Sequence, residues 1–472
     1  MSRRALAVLS CCTVAMAACG SDDDGGGDAA STSAAAGDTS TTTGGATSEP
    51  ASTDSAGTEP SSSEPASTDP ASTDPASTDG GGSSPAGSAG CPEIDDSVDA
   101  TSGNGAGLFL SNIECAATSP LPAEGEPLVI GLQNPQGDPA GSFPEFQTGA
   151  RAAVEYINNE LGGWGSDVQN GVAGRPIELD VCETAISPDD SQRCANALIG
   201  GDPFMVASSI NFFGNHLPIF EAAGVPAVVM SPVTIADFTA PGAYAIGGGG
   251  GCLGVHTGMV EFTTTEFDPT KVAIPWADTP PGVVCFYDLE AKPMDVLNGT
   301  VPGESERAGS MPDLEYLGVP IRPATPDVTP QVTEILGYDP DAIMFSGQGA
   351  DCWNLVDGLG RLGWTPDQIP LVLSGACTDF EAMRAAGPLS EGVYFIGSGN
   401  SVIVDPSTLE DPVAQVEAET YQTKAAEYGM PEADITKGFG ALGFTSMITL
   451  WSISNEMAAN GEEITPESYE AA

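Results

Sequence analysis

The sequence predicts an α/β protein made of two doubly wound, parallel-sheet lobes joined by hinge crossovers. Three observations carry this. Short apolar runs that suit buried parallel strands occur at 128–132, 177–181, 204–207 and 227–230, and again at 272–276, 315–319, 341–345, 370–373 and 393–396. Segments of helical period separate them. Most runs feed loops rich in Gly, Ser, Thr or Asn, and in doubly wound sheets ligands bind beyond the carboxyl ends of strands.

Residues 1–19 (MSRRALAVLSCCTVAMAAC) begin with Arg3 and Arg4 and continue as an apolar run too short to remain as a membrane span. Met16-Ala17-Ala18-Cys19 resembles a bacterial lipobox, which makes 1–19 a lipoprotein signal peptide and Cys19 the lipidated residue. Acyl chains add roughly 0.8 kcal/mol per buried CH₂ and would tether the chain to the outer face of a cell membrane. Residues 20–90 are low in complexity, with PASTD at 50–54, 65–69, 70–74 and 75–79. With almost no large apolar side chain, this Ser/Thr/Pro/Asp-rich segment reads as a disordered linker, spanning about 45–50 Å as a coil. Residues 91–125 read as an extension closed by Cys91 and Cys115.

The first lobe, 126–248, opens with a strand, a loop and a helix. Phe146, Ala150, Ala153, Val154, Ile157 and Leu161 fall on one helical face, and Gly162-Gly163 ends it. Ser187 and Asp190 read as caps of the next helix. The glycine-rich run 243–251 has no Gly-Lys-Ser/Thr after it, so it reads as a hinge and not as a phosphate loop. The second lobe, 249–398, repeats the plan. Residues 399–472 return to the first lobe through helices near 411–428 and 437–459.

The chain carries 66 Asp plus Glu against 13 Lys plus Arg. Residues 20–90 hold 12 acids and no base, so 91–472 keep a net charge of −43. That field argues against nucleic acid and anionic headgroups as partners, and the acidity reads as a solvated surface. Eight of the eleven cysteines follow the N-terminal segment. Their even number in an exported chain suggests disulfides, and pairing neighbours gives Cys91–Cys115, Cys182–Cys194, Cys252–Cys285 and Cys352–Cys377, one of 105 connectivities. No CxxC pair occurs and the histidines are only His216 and His256, so no metal is expected. Nor is a cofactor.

The block order IG…P.G…F…Q.GA..AVEYIN…GG…G.PIEL, beginning near Glu126, resembles the periplasmic branched-chain amino-acid-binding proteins, the type I solute-binding proteins of ABC importers. The segment GVPIRPATPDVTPQVTEILGYDPDAIMFSG (318–347) resembles their second lobe. The resemblance implies the type I periplasmic-binding-protein fold. It also implies an extracytoplasmic receptor that closes on a small polar ligand and hands it to an ABC permease. Family members continue through a third crossover and final strands, so 399–472 reads as a truncated return.

From the same resemblance, the loops after 207 and 230 would grip a carboxylate and an amine, through Ser208, Ser209, Ser231, Val233 and Thr234. Phe143 would line the pocket. In the second lobe the loops offer Gln348 and Ala376 where amino-acid binders place an aromatic and a carboxylate. The ammonium clamp is thus missing at its place, with Asp278 or Asp351 as substitutes; a buried unpaired ammonium costs several kcal/mol. Ligands then extend to amides, carboxylates and aromatic acids. Trp276 and Trp353 read as core. No GxSxG or HExxH occurs, so no catalytic residue is assigned. The expected state is a monomeric receptor. A sensor of the same fold without transport, and an enzyme or structural protein on this scaffold, are the alternatives.

Overall fold

The first sheet has the order β2-β1-β3-β4-β5, with β1 Leu128–Pro135, β2 Ile177–Thr184, β3 Met205–Ser208, β4 Ala227–Val229 and β5 Ala243–Ala245. The second has the order β10-β9-β8-β6-β7, with β6 Lys271–Ala277, β7 Glu315–Ile321, β8 Ala342–Phe345, β9 Leu371–Ser374 and β10 Tyr394–Ile396. Every pairing is parallel. These assignments come from a computed structural model that describes residues 119–472 except 139–140, 169, 247–250 and 398–399. The signal peptide with Cys19, the linker 20–90, the Cys91–Cys115 pair and the crossover residues 247–250 and 398–399 lie outside the described residues.

Helices flank the sheets. In the first lobe they are α1 Pro144–Glu160, α2 Pro188–Ile199, α3 Leu217–Ala223 and α4 Ile235–Thr239. The second lobe has α5 Cys252–Glu266, α6 Pro280–Val284, a π-helix Cys285–Ala291, α7 Lys292–Leu297, α8 Thr329–Gly337, α9 Ala350–Arg361 and α10 Phe380–Ala386. The chain then returns through α11 Pro412–Glu427, α12 Glu432–Ile435, α13 Gly438–Ala459 and α14 Pro466–Ala471.

β1 runs three residues beyond its apolar stretch because the amide N–H groups of the polar side chains there find acceptors. Buried Gln133 donates through Nε2 to Ser191 O at 3.0 Å, and buried Asn134 through Nδ2 to Phe143 O at 2.9 Å. β5 was not separable from the glycine-rich exit in sequence; its three residues form an edge paired with β4. α1 ends where Gly162 and Gly163 take φ of +79° and +78°, a conformation glycine adopts without steric cost.

The return helices anchor on the first lobe. α13 crosses α1 so closely that a Cβ on Gly443 would lie 2.1 Å from Phe146 O. Trp451 of α13 donates through Nε1 to Gly163 O at 2.9 Å. On α11, Lys424 pairs with Glu160 at 2.7 Å. Tyr469 of α14 donates to Leu450 O at 2.8 Å. Trp276 is buried and stacks on Phe286, and Trp353 donates to Cys377 O at 3.1 Å. Among the described residues no helix is long and apolar enough to cross a membrane.

Among the described residues two disulfides are formed. Cys182–Cys194 ties β2 to α2, and Cys352–Cys377 ties α9 to the turn after β9. The predicted Cys252–Cys285 bridge is a correction. The two sulfurs face each other at 2.9 Å as free cysteines, against about 2.05 Å for a bond.

Candidate functional site

The carboxyl ends of strands in both sheets open onto one cleft. The first lobe contributes Ile210 and Phe212 after β3, and Met230, Ser231 and Val233 after β4. The second contributes Ala277, the last residue of β6, with Thr279 beyond it, Ser346 and Gln348 after β8, and Ser374, the last residue of β9, with Ala376 beyond it. α13 adds Gly438, Phe439 and Leu442. The space is about 920 Å³ including its open mouth. Among the described residues that line it there is no Asp, Glu, Lys or Arg. In a chain with 66 acids, that exclusion defines the site.

Of the residues the sequence nominated, Ser231, Val233, Gln348 and Ala376 line the cleft. The other six do not. Ser209 is fully buried and donates to Asn134 Oδ1 at 2.6 Å, holding β1 to the loop after β3. Ser208 Oγ sits 3.4 Å from His216 Nε2, inside the lobe. Burial pushes the His216 imidazole down to about 4. Thr234 caps α4 in a capping box with Asp237. Phe143 stands behind the wall, its ring stacked on Phe439 at 4.4 Å. Asp351 accepts from Ala324 N at 2.9 Å, and Asp278 lies outside the lining. A strand-end Ser or Thr meets either the ligand or its own neighbours, and the spacing is the same for both.

Asp237 was not singled out in sequence. It is buried, and its Oδ2 accepts from Val233 N at 2.8 Å and Thr234 N at 2.7 Å, which fixes the loop that presents Ser231 and Val233. Burial pushes its carboxyl up, against those bonds. Phe212, Phe439 and Leu442 were also missed. Apolar residues on a helix or after a strand carry no signal separating cleft from core.

The floor of the cleft holds a second group. Cys252 is the first residue of α5, and His256 lies one turn on, on the same face. His256 Nδ1 is 2.8 Å from Glu290 Oε1 and 3.1 Å from Ser346 Oγ. Cys285 and Glu290 are five residues apart in the π-helix, whose wider turn leaves both buried on one side. Burial alone would lower the His256 imidazole, but the Cys252 sulfur and the Glu290 carboxylate hold it up at about 10. The Cys285 thiol, by donating to it, holds Cys252 well below the usual thiol value.

The chain matches the family model described as periplasmic binding protein over residues 127–447. No curated protein matches the sequence. Among solved structures it is similar to the leucine-binding protein LivK of Thermotoga maritima, at 15% identity and a TM-score of 0.52, over 73% of this chain and 86% of that one. It is also similar to an extracellular ligand-binding receptor of Verminephrobacter eiseniae, at 15% identity and a TM-score of 0.53, over 73% and 88%. An ABC-transporter solute-binding protein of Rhodopseudomonas palustris, solved in complex with 4-hydroxybenzoate, matches at 16% identity and a TM-score of 0.51, over 74% and 84%. At these identities the structural matches speak for the fold.

Proposed function

This chain belongs to the periplasmic binding protein family, and we propose that it is an extracytoplasmic receptor for an apolar-bodied small molecule bearing one carboxylate or amide. A cleft whose described lining holds no Asp, Glu, Lys or Arg carries this reading. An amino acid would bring an ammonium and a carboxylate into it. The ammonium would find no carboxylate to meet, at a cost of several kcal/mol. A single carboxylate is better served. α5 and α13 both begin at the cleft, with Cys252 and Gly438 in its lining; Cys252 N and Gly438 N donate to Pro232 O and Thr378 O, so it is the dipole of each helix end that favours negative charge there. Phe212, Met230, Phe439 and Leu442 supply the apolar walls. The 4-hydroxybenzoate bound by the Rhodopseudomonas protein has this chemistry.

Closure of the two lobes on the solute is the working step, and no bond is made or broken. Cys19 would carry the lipid, and 20–90 would hold the receptor off the membrane as it delivers solute to an ABC permease. Thermal melting of the full chain tests the ligand class. The panel is aromatic and branched aliphatic monocarboxylates, their amides, and the matching amino acids. A ligand at a hundredfold excess over its dissociation constant adds about 2.7 kcal/mol and moves the melt by degrees. Shifts are expected with the acids or amides and not with leucine or phenylalanine. A shift with the amino acids alone would sink the proposal.

A further inference from the structure

We propose that Cys252, His256 and Cys285 form a binding site for one soft divalent cation of the zinc class in the floor of the cleft. The two sulfurs and one imidazole nitrogen all lie within 4.8 Å of one another. Two thiolates and an imidazole are a donor set that zinc takes, with a fourth position left for water or another ligand. His256 Nδ1 is engaged by the fully buried Glu290, which leaves Nε2 for the ion. A carboxylate on the far nitrogen of a metal-bound histidine fixes the ring and raises its basicity. Ser346, at 3.1 Å from the same Nδ1, adds a second fixed contact.

The donors come from different parts of the chain. Cys252 and His256 share one face of α5, and Cys285 is brought in by the π-helix after β6. That is why the sequence, lacking a CxxC, argued against a metal. Zinc–sulfur bonds of about 2.3 Å put two tetrahedral sulfurs about 3.8 Å apart. The pair at 2.9 Å must therefore part by about 0.9 Å. Cys252, His256 and Cys285 all line the cleft, so the open position faces it. The other two pairs among the described residues, Cys182–Cys194 and Cys352–Cys377, are disulfides and have no thiolate to offer.

The test is metal binding by the full chain, with no solute added. Zn²⁺ content after dialysis and competition with a chromophoric chelator give stoichiometry and affinity. Co²⁺ in place of Zn²⁺ reports thiolate ligation through its charge-transfer absorption and needs no variant. One ion per chain with a thiolate–cobalt spectrum is expected. Cys285→Ser should abolish that spectrum, and Glu290→Gln should weaken Zn²⁺ about 10–100-fold. Three results would each overturn the site: no stoichiometric ion, binding unchanged by Cys285→Ser, or a Cys252–Cys285 disulfide by mass spectrometry in the chain as exported.

Discussion

Glu417 should destabilise the folded chain at neutral pH, and Glu417→Gln should relieve it. The residue lies in α11 and is 7% exposed. Burial, with the Asp411 charge adding, raises its carboxyl from 4.5 to about 7. The sign follows from proton binding. Below pH 4.5 the group is protonated in both states and contributes nothing. Between pH 4.5 and 7 the unfolded chain releases its proton while the folded chain keeps it, so stability falls as pH rises. Above pH 7 the loss levels off, and at about 1.4 kcal/mol per pH unit it amounts to about 3 kcal/mol. Gln keeps the shape and cannot ionise. Urea denaturation of both proteins at pH 4, 6 and 8 would measure this as a difference at each pH, so the titration of the other acids cancels. The variant should match the parent at pH 4 and exceed it by about 3 kcal/mol at pH 8. A difference that is the same at pH 4 and pH 8 would refute the argument, because a packing effect does not titrate.

Two further outcomes can be checked. Ser209→Ala should lower stability by about 1–3 kcal/mol, since it leaves the buried Asn134 Oδ1 without its donor. It should leave solute affinity unchanged, and calorimetric titration with the best ligand of the panel would show whether it does. The net −43 of residues 91–472 repels an incoming carboxylate, and salt screens that repulsion within a Debye length of about 8 Å at 0.15 M. Stopped-flow association of a monocarboxylate should therefore quicken, roughly tenfold between low and high salt, while its neutral amide shows no change. Equal salt response for both would mean that the acids do not reach the mouth of the cleft.

The fold was legible because its signals are redundant along the chain. β1, α1 and β2 each carry a period, a stop and a neighbour that agree, and the parallel order follows once helices separate the strands. Element ends were less so. β1 was read as ending at its last apolar residue, and only the partners of Gln133 and Asn134, at Ser191 and Phe143, show why a strand continues through them. The site was the least legible part. Its loops were located, but Ser208, Ser209 and Thr234 turned inward or capped a helix, and Phe212, Phe439 and Leu442 took the wall. Whether a strand-end hydroxyl faces solute or scaffold depends on contacts across 75 residues, as with Ser209 and Asn134, and no local pattern records that.

The neutral lining also constrains how the proposed receptor and the proposed metal site fit together. Glu290 is a buried carboxylate behind the cleft floor, outside the lining, and it hydrogen-bonds His256. A divalent ion bound by two thiolates and a neutral imidazole carries no net charge of its own. The cleft's net charge would then change little with the ion, and the apolar walls would hold the body of the solute in both states. What the ion adds is a directional contact: its open position would take a carboxylate oxygen more readily than an amide. The acid-to-amide preference measured with and without Zn²⁺ is therefore the quantity in which the two proposals meet.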